Sequence, residues 1–152
     1  MKKLVLAALL ATFAAGASTA DKISFGVSAT YPPFESLDAS NKIVGFDIDL
    51  ATALCKQMQA DCTFTNHAFD SLIPALKFKK YDAVISGMDI TPERSKQVAF
   101  TQPYYANSAL VIAKKDTYKT FADLKGKRIG MENGTTHQKY LQDKHPEVKT
   151  VA

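Results

Sequence analysis

Apolar patterns typical of strands alternate with apolar patterns typical of helices along the first part of this chain. Residues 23–29 alternate as a strand does, and residues 62–65 and 82–86 are two further short strands. Between them, residues 45–58 carry an apolar stripe at helical spacing, made of Leu50, Ala51, Leu54 and Met58. A second helix is predicted over 70–79, with its first residue as the N-cap. This β-α-β-α-β order predicts a doubly wound parallel sheet with right-handed crossovers.

A short hairpin precedes the first helix, and the α/β pattern restarts near residue 106. The hairpin is predicted over 37–45, with its turn at Ala39-Ser40-Asn41. The later series is a strand, a short helix, a strand, a helix and a strand, predicted at 108–113, 120–124, 128–132, 135–143 and 148–151. We therefore expect a second α/β unit with only its opening elements in this chain.

Residues 1–20 have the features of an export signal. Lys2 and Lys3 form a charged start, and residues 4–15 form an apolar segment too short to cross a bilayer as a mature helix. Ser18-Thr19-Ala20 has the small residues that precede a signal-peptide cleavage site. We therefore expect cleavage after Ala20 and export to the periplasm. A retained membrane anchor is the alternative interpretation.

Charge is nearly balanced in the mature chain. The full sequence has 19 basic and 15 acidic residues, and removal of Lys2 and Lys3 leaves 17 basic residues, a net charge of +2. The basic residues are scattered, whereas nucleic-acid binders concentrate them on one face, so we expect no nucleic-acid partner. No other apolar run reaches membrane-spanning length, and we expect a soluble product.

Cys55 and Cys62 lie where the first helix leads into the second strand. In an exported chain such a pair is typical of a disulfide. Their spacing is not that of a C-x-x-C metal motif and the three histidines are dispersed, so we expect no metal site. The glycines form no dinucleotide or phosphate-binding loop, and we expect no cofactor.

The segment Ser86-Gly87-Met88-Asp89-Ile90-Thr91-Pro92-Glu93-Arg94 places a cation where a helix does not favour one. Thr91 suits the N-cap and Pro92 the first helical position, so Arg94 falls in the first turn. The positive end of the helix dipole disfavours a guanidinium there. An anion bound between Arg94 and the free backbone N–H groups would explain the arrangement. A solvated arginine paired with Glu93 is the alternative.

Three motifs resemble those of one protein family. The string G-F-D-I-D-L-A-x-x-L-C begins at Gly45, Tyr-Pro-Pro-Phe-Glu-Ser begins at Tyr31, and Met-Asp-Ile-Thr-Pro-Glu-Arg-Ser begins at Met88. Together they resemble the family 3 extracellular solute-binding proteins, the periplasmic amino-acid receptors of ABC transporters. Their details are similar to the arginine-binding members, and the likeness runs from Ile23 to Ala152.

The resemblance implies an α/β fold of the type II periplasmic binding-protein class, in which two doubly wound lobes enclose a ligand. The first lobe would take residues 21–106 without its C-terminal return segment, and the second, over 107–152, would be incomplete in this chain. A family aspartate that binds the ligand's α-ammonium would lie beyond Ala152. We therefore expect residues 21–152, as a fragment or a truncated reading frame, to bind arginine weakly or not at all.

The resemblance also implies roles for individual residues. Arg94 would bind the ligand's α-carboxylate. Asp89 would bind its α-ammonium, where the family usually has serine or threonine, or would instead turn away as an acid at the start of the following helix. Ser86 and Gly87 end a strand, where small residues let a ligand approach the backbone. Tyr31 and Phe69 would enclose the ligand side chain, and Thr136 would offer a hydroxyl at a helix start. Glu132 would bind a guanidinium, and Ser28 stands where relatives with basic ligands can carry an acid.

We expect a monomeric receptor that closes on L-arginine first, and on other basic amino acids second, and delivers its ligand to an inner-membrane permease. An enzyme on the same fold, such as a cyclohexadienyl dehydratase with Glu132 as its catalytic carboxylate, is the alternative, because fold does not fix function. A non-binding exported remnant is the third hypothesis.

Overall fold

The computed structural model describes residues 20–152, so the predicted export signal, except Ala20, lies outside the described residues. The described strands are β1 (Lys22–Val27), β2 (Thr30–Tyr31), β3 (Glu35–Leu37), β4 (Ile43–Val44), β5 (Asp61–Asn66), β6 (Ala83–Val84), β7 (Arg128–Gly130) and β8 (Lys149–Val151). The helices are α1 (Phe46–Met58), α2 (Leu72–Lys77), α3 (Pro92–Ser95) and α4 (Thr136–Lys144), with two 3-10 helices at Phe69–Ser71 and Phe121–Leu124. None of these helices has the length and apolar character needed to cross a membrane.

Strand β1 is the centre of a parallel sheet with the order β5-β1-β6. Its Phe25 is in register with Phe64 of β5 on one side and with Ala83 of β6 on the other. Helix α1 precedes β5 and α2 precedes β6, which confirms the predicted doubly wound α/β arrangement. Because the three strands are parallel, the loops at their carboxyl ends meet at one edge of the sheet, where ligands bind in such folds.

The predicted hairpin is formed by β3 and β4, and β2, which was not predicted, pairs with β3 to complete a small antiparallel sheet beside this edge. Gly45 follows it with a φ of +134°, and a Cβ atom there would lie 2.3 Å from the carbonyl oxygen of Phe34. Only glycine fits such a backbone. The close approach lets the amides of Phe46 and Asp47 donate to the carbonyls of Pro33 and Phe34, which fixes the start of α1.

Helix α1 packs on the sheet with a different face from the one predicted. Its core contacts come from Ile48, Ala51 and Cys55, whereas Leu54 and Met58 are 50% and 55% exposed. The prediction of an inward stripe through Leu54 and Met58 is therefore wrong. The Cys55–Cys62 disulfide ties this face of the helix to β5 and confirms the predicted pairing.

The second predicted helix begins later than expected. Asp70 lies within a 3-10 helix, and Ser71 precedes α2 without a capping hydrogen bond from its side chain, so the prediction of an Asp70 N-cap is wrong. Leu72 at the start of α2 is fully buried. Tyr81 donates its hydroxyl to the Leu72 carbonyl at 2.7 Å, which ties this end of the helix to the chain before β6.

The later part of the described chain forms a small parallel sheet of β7 and β8, with α4 between them. These elements, and the short helix at Phe121–Leu124, confirm four of the five predicted there. Residues 108–113 are not a strand, and Leu110 and Ile112 are 85% and 93% exposed. That prediction is wrong because no described strand pairs with this segment, and an isolated apolar run gains no ladder hydrogen bonds.

Candidate ligand-binding site

Arg94 faces the cleft between the parallel sheet and the later elements. Thr91 caps α3 as predicted, accepting a hydrogen bond from the Arg94 amide at 3.2 Å. The Arg94 guanidinium donates to the carbonyl of Asp89 at 2.7 Å and to that of Gly134 at 3.0 Å. It also lies over the Phe69 ring, 5.4 Å from its centroid, a cation–π distance. The side chain is therefore enclosed, rather than solvated and paired with Glu93.

The enclosure of Arg94 affects its electrostatics. Burial lowers the pKa of its guanidinium from the ordinary value, and the nearby charge of Asp89 opposes that shift. Its partners in the structure are carbonyl oxygens, and a carboxylate makes shorter and stronger bonds to a guanidinium than a carbonyl does. The site therefore favours an anionic ligand group at this point.

Six of the nine expected site residues line two neighbouring cavities, whereas Ser28, Glu132 and Thr136 line neither. One, of about 510 Å³, is lined by four of them, namely Tyr31, Ser86, Gly87 and Asp89. The other, of about 280 Å³, is lined by Phe69 and Arg94 together with Gly134 from the opposite side. Tyr31 stacks on Phe34 with ring centroids 5.1 Å apart, so the first cavity has an aromatic wall.

Asp89 and Thr136 meet across the cleft. The Thr136 hydroxyl donates to Asp89 Oδ2, while the neighbouring Thr135 caps α4 by accepting from the Gln138 amide at 3.2 Å. The two threonines thus have separate roles: Thr135 holds the helix start, and Thr136 presents its hydroxyl to the opposite side. Asp89 does not turn away to support its own helix, which the sequence left open.

Glu132 and Ser28 form a second contact across the cleft. Glu132 Oε1 accepts from the hydroxyls of Ser28 at 3.2 Å and Thr30 at 2.9 Å. Thr30 had not been expected at the site, although its position directly after the Ser28 turn would have suggested it. A carboxylate here, beside two hydroxyls, provides an acceptor for a cationic group.

Two acidic residues that were not predicted to be part of the site bind Ser86 and Gly87. The Ser86 hydroxyl donates to Glu35 Oε1 at 2.6 Å, and the Gly87 amide donates to Asp47 Oδ2 at 2.8 Å. The Tyr104 hydroxyl also donates to Asp47 Oδ2, at 2.9 Å. Glu35 and Asp47 both belong to the family motifs named above. Because they are separated along the chain, the sequence did not indicate that both would bind the Ser86–Gly87 segment.

Among the described residues, no group of three or more histidine, cysteine or acidic side chains is placed to hold a metal ion. The chemistry of this cleft comes from one guanidinium, two carboxylates, hydroxyls and aromatic rings. That set complements a small molecule with both an anionic and a cationic group.

The strand order and the site at the carboxyl edge of the sheet are those of a type II periplasmic binding-protein-like fold. The chain belongs to the bacterial extracellular solute-binding proteins, family 3, whose family model matches residues 23–150. The amino-acid receptor family inferred from the three motifs is thereby confirmed.

Individual relatives are similar over most of the chain. It is 86% identical over 152 residues to ABC transporter arginine-binding protein 1 of Escherichia coli (strain K12), covering 100% of this chain and 63% of that protein. A solved periplasmic binding protein of Salmonella typhimurium, described as having high arginine specificity, is 64% identical with a TM-score of 0.85, over 88% of this chain and 60% of that one.

A third relative bears on the enzymatic alternative. It is an ancestral amino-acid-binding protein described as a precursor of cyclohexadienyl dehydratase, 36% identical with a TM-score of 0.78, over 86% of this chain and 60% of that one. The two relatives with the higher identities are named as an ABC transporter arginine-binding protein and as a periplasmic binding protein. The chain spans 60–63% of the length of these three relatives.

Proposed function

We propose that the full-length protein binds L-arginine, with other basic amino acids as weaker ligands, and delivers it to an inner-membrane ABC permease. The observation that carries this proposal is the Arg94 guanidinium, which faces the cleft between Phe69 and the Gly134 carbonyl. The similarity to proteins named for arginine binding supports the choice of ligand.

In this proposal Arg94 binds the ligand's α-carboxylate and Asp89 its α-ammonium. Both groups now bond across the cleft, Arg94 to the Gly134 carbonyl and Asp89 to the Thr136 hydroxyl. Each of these contacts has one charged partner, and a zwitterion would replace them with hydrogen bonds between opposite charges, which can be bidentate at the Arg94 guanidinium. Thr136 would then donate to the ligand's carboxylate.

The ligand's side chain would extend toward Glu132 and Ser28, between the rings of Tyr31 and Phe69. A guanidinium is planar and can bond a carboxylate while it stacks on aromatic faces. Glu132 already lies beside two hydroxyls that can help to orient it. This arrangement favours arginine over a neutral amino acid of similar length.

We further propose the predicted lobe boundaries, 21–106 and 107–152, cleavage after Ala20, and a monomer that acts in the periplasm. The cross-cleft contacts of Arg94, Asp89 and Glu132 support a two-sided site that closes by a hinge motion around its ligand. Ligand binding would shift the population toward the closed form that the permease recognises.

The ligand preference is tested by calorimetric titration of the full-length protein with L-arginine, L-lysine, L-histidine and L-glutamine. L-arginine should bind most tightly, and Glu132→Gln should weaken arginine by about tenfold or more while it changes glutamine little, because a charged hydrogen-bond pair contributes about 1.5–3 kcal/mol. Glu93→Gln, at an exposed position, is the matched control. An unchanged preference in Glu132→Gln would refute the role of Glu132.

The enzymatic alternative is tested on the same preparation with prephenate. Binding without turnover supports the receptor. Turnover that is lost in Glu132→Gln but kept in Glu93→Gln would instead establish an enzyme with Glu132 as its catalytic acid or base.

A further inference from the structure

Two carboxyl groups are buried together next to the Ser86–Gly87 loop of the site. Glu35 of β3 is 1% exposed, and Asp47 in the first turn of α1 is 0% exposed. Each has one buried oxygen without a partner, Glu35 Oε2 and Asp47 Oδ1. The two acids bind the adjacent residues Ser86 and Gly87, so they lie close together. Two ionised carboxylates in such a place would repel, so the pair retains one proton between them.

The other oxygen of each acid holds a part of the site. Glu35 Oε1 accepts from the Ser86 hydroxyl, whose oxygen in turn accepts from the Ser28 amide at 3.0 Å. Asp47 Oδ2 accepts from the Gly87 amide and from the Tyr104 hydroxyl. The pair therefore connects the loop after β1, the loop after β6 and the segment around Tyr104.

We propose that Glu35 and Asp47 form a proton-sharing pair that positions the Ser86–Gly87 loop against Tyr104 and so sets the affinity of the ligand site. Both are positioning residues that act through Ser86, Gly87 and Tyr104. The effect on affinity rests on the proposed function, whereas the shared proton does not.

The contacts place the proton on Glu35. Asp47 lies in the first turn of α1 and accepts two hydrogen bonds on one oxygen, from the Gly87 amide and the Tyr104 hydroxyl, whereas Glu35 accepts one, from Ser86. Burial, followed by the interaction with the Asp47 carboxylate, raises the pKa of Glu35 from 4.5 to about 9, and the hydrogen bond from Ser86 opposes the shift. Among the described residues, the other titratable groups that act on this pair are Tyr104 and Glu132, and neither is a cation.

A shared proton predicts a specific pH dependence. Above pH 4.5 the unfolded chain releases the proton of Glu35, whereas the folded chain keeps it up to pH 9 or so. The folded state therefore binds more protons in this window, and its stability falls as pH rises. The folding equilibrium constant of the wild type should fall by up to about tenfold per pH unit relative to Glu35→Gln, which has no proton to release.

The test uses the full-length protein and four variants. Urea unfolding without ligand, from pH 5 to pH 9, compares the wild type with Glu35→Gln, and calorimetric titration with L-arginine at pH 7 adds Glu35→Ala, Asp47→Asn and the exposed control Asp49→Asn. We expect the pH slope of stability to be smaller in Glu35→Gln. We also expect Glu35→Ala and Asp47→Asn to lose about tenfold or more in affinity, and Glu35→Gln to recover most of that loss, because its amide donates to Asp47 and its oxygen accepts from Ser86.

The possible failures are distinguishable. Identical pH slopes in the wild type and Glu35→Gln would overturn the shared proton. A wild type that binds L-arginine, with Glu35→Gln as weak as Glu35→Ala, would overturn the positioning role and leave the proposed function standing. If the wild type does not bind L-arginine but the slopes differ, the proton-sharing pair stands, and the proposed ligand and the effect on its affinity are both refuted.

Discussion

A Cβ atom at residue 87 would meet the Tyr31 ring at 3.2 Å, in a backbone with a φ of +50°. Gly87→Ala should therefore destabilise the full-length protein by about 1–3 kcal/mol in urea unfolding, and weaken L-arginine binding because Tyr31 must shift. Gly126→Ala is the matched control, since its φ is +71° and nothing lies within 4 Å of the added atom. Equal effects of the two substitutions on binding would show that the Tyr31 contact is unimportant.

Single residues were predictable from sequence where their chemistry is local. The orientation of Arg94 followed from Thr91 and Pro92, which define the start of α3 within four residues. The contact of Glu35 with Ser86 was not predictable, because it joins residues 51 positions apart through the packing of the hairpin on the sheet. The inward orientation of Asp47 was missed for the same reason, since the helix dipole explains an acid at that position equally well.

At the scale of elements, the Cys55–Cys62 disulfide links helix α1 to strand β5. A double substitution to serine should lower the free energy of unfolding by about 2–3 kcal/mol, the chain-entropy estimate for a short loop. Urea unfolding of the wild type with and without a reductant, beside the double variant, measures this. The reduced wild type should match the variant, and a variant as stable as the oxidised wild type would contradict the prediction.

Helices and strands were predictable where the apolar periodicity is clear and a neighbouring element is present to pair or pack with. The strands of the β5-β1-β6 sheet, the hairpin and α4 all form where the pattern indicated. The face of α1 was mispredicted because the sequence offers two apolar stripes at helical spacing: Ile48, Ala51 and Cys55 pack inward, whereas Leu54 and Met58 are exposed. Residues 108–113 have strand-forming composition, but strand formation depends on a partner strand elsewhere.

At the scale of the whole molecule, four side chains on the parallel-sheet side bond to residues after β7. Arg94 bonds to the Gly134 carbonyl, Asp89 to Thr136, and both Ser28 and Thr30 to Glu132. Since the ligand is proposed to bind among these groups, L-arginine should favour the closed arrangement of the full-length protein. Small-angle X-ray scattering should show a smaller radius of gyration with saturating L-arginine than without it, and no change with L-glutamate. An unchanged radius with bound arginine would contradict hinge closure.

Recognition of a carboxylate by Arg94 is tested most directly by a double cycle with L-arginine and agmatine, which is arginine without its carboxylate. In full-length protein, Arg94→Ala should weaken L-arginine by about a hundredfold or more, since two charge-assisted hydrogen bonds contribute about 3–6 kcal/mol. It should change agmatine little, and the exposed control Arg128→Ala should change neither. Equal losses for both ligands in Arg94→Ala, or an unchanged affinity for L-arginine, would contradict the proposal that this guanidinium binds the ligand's carboxylate.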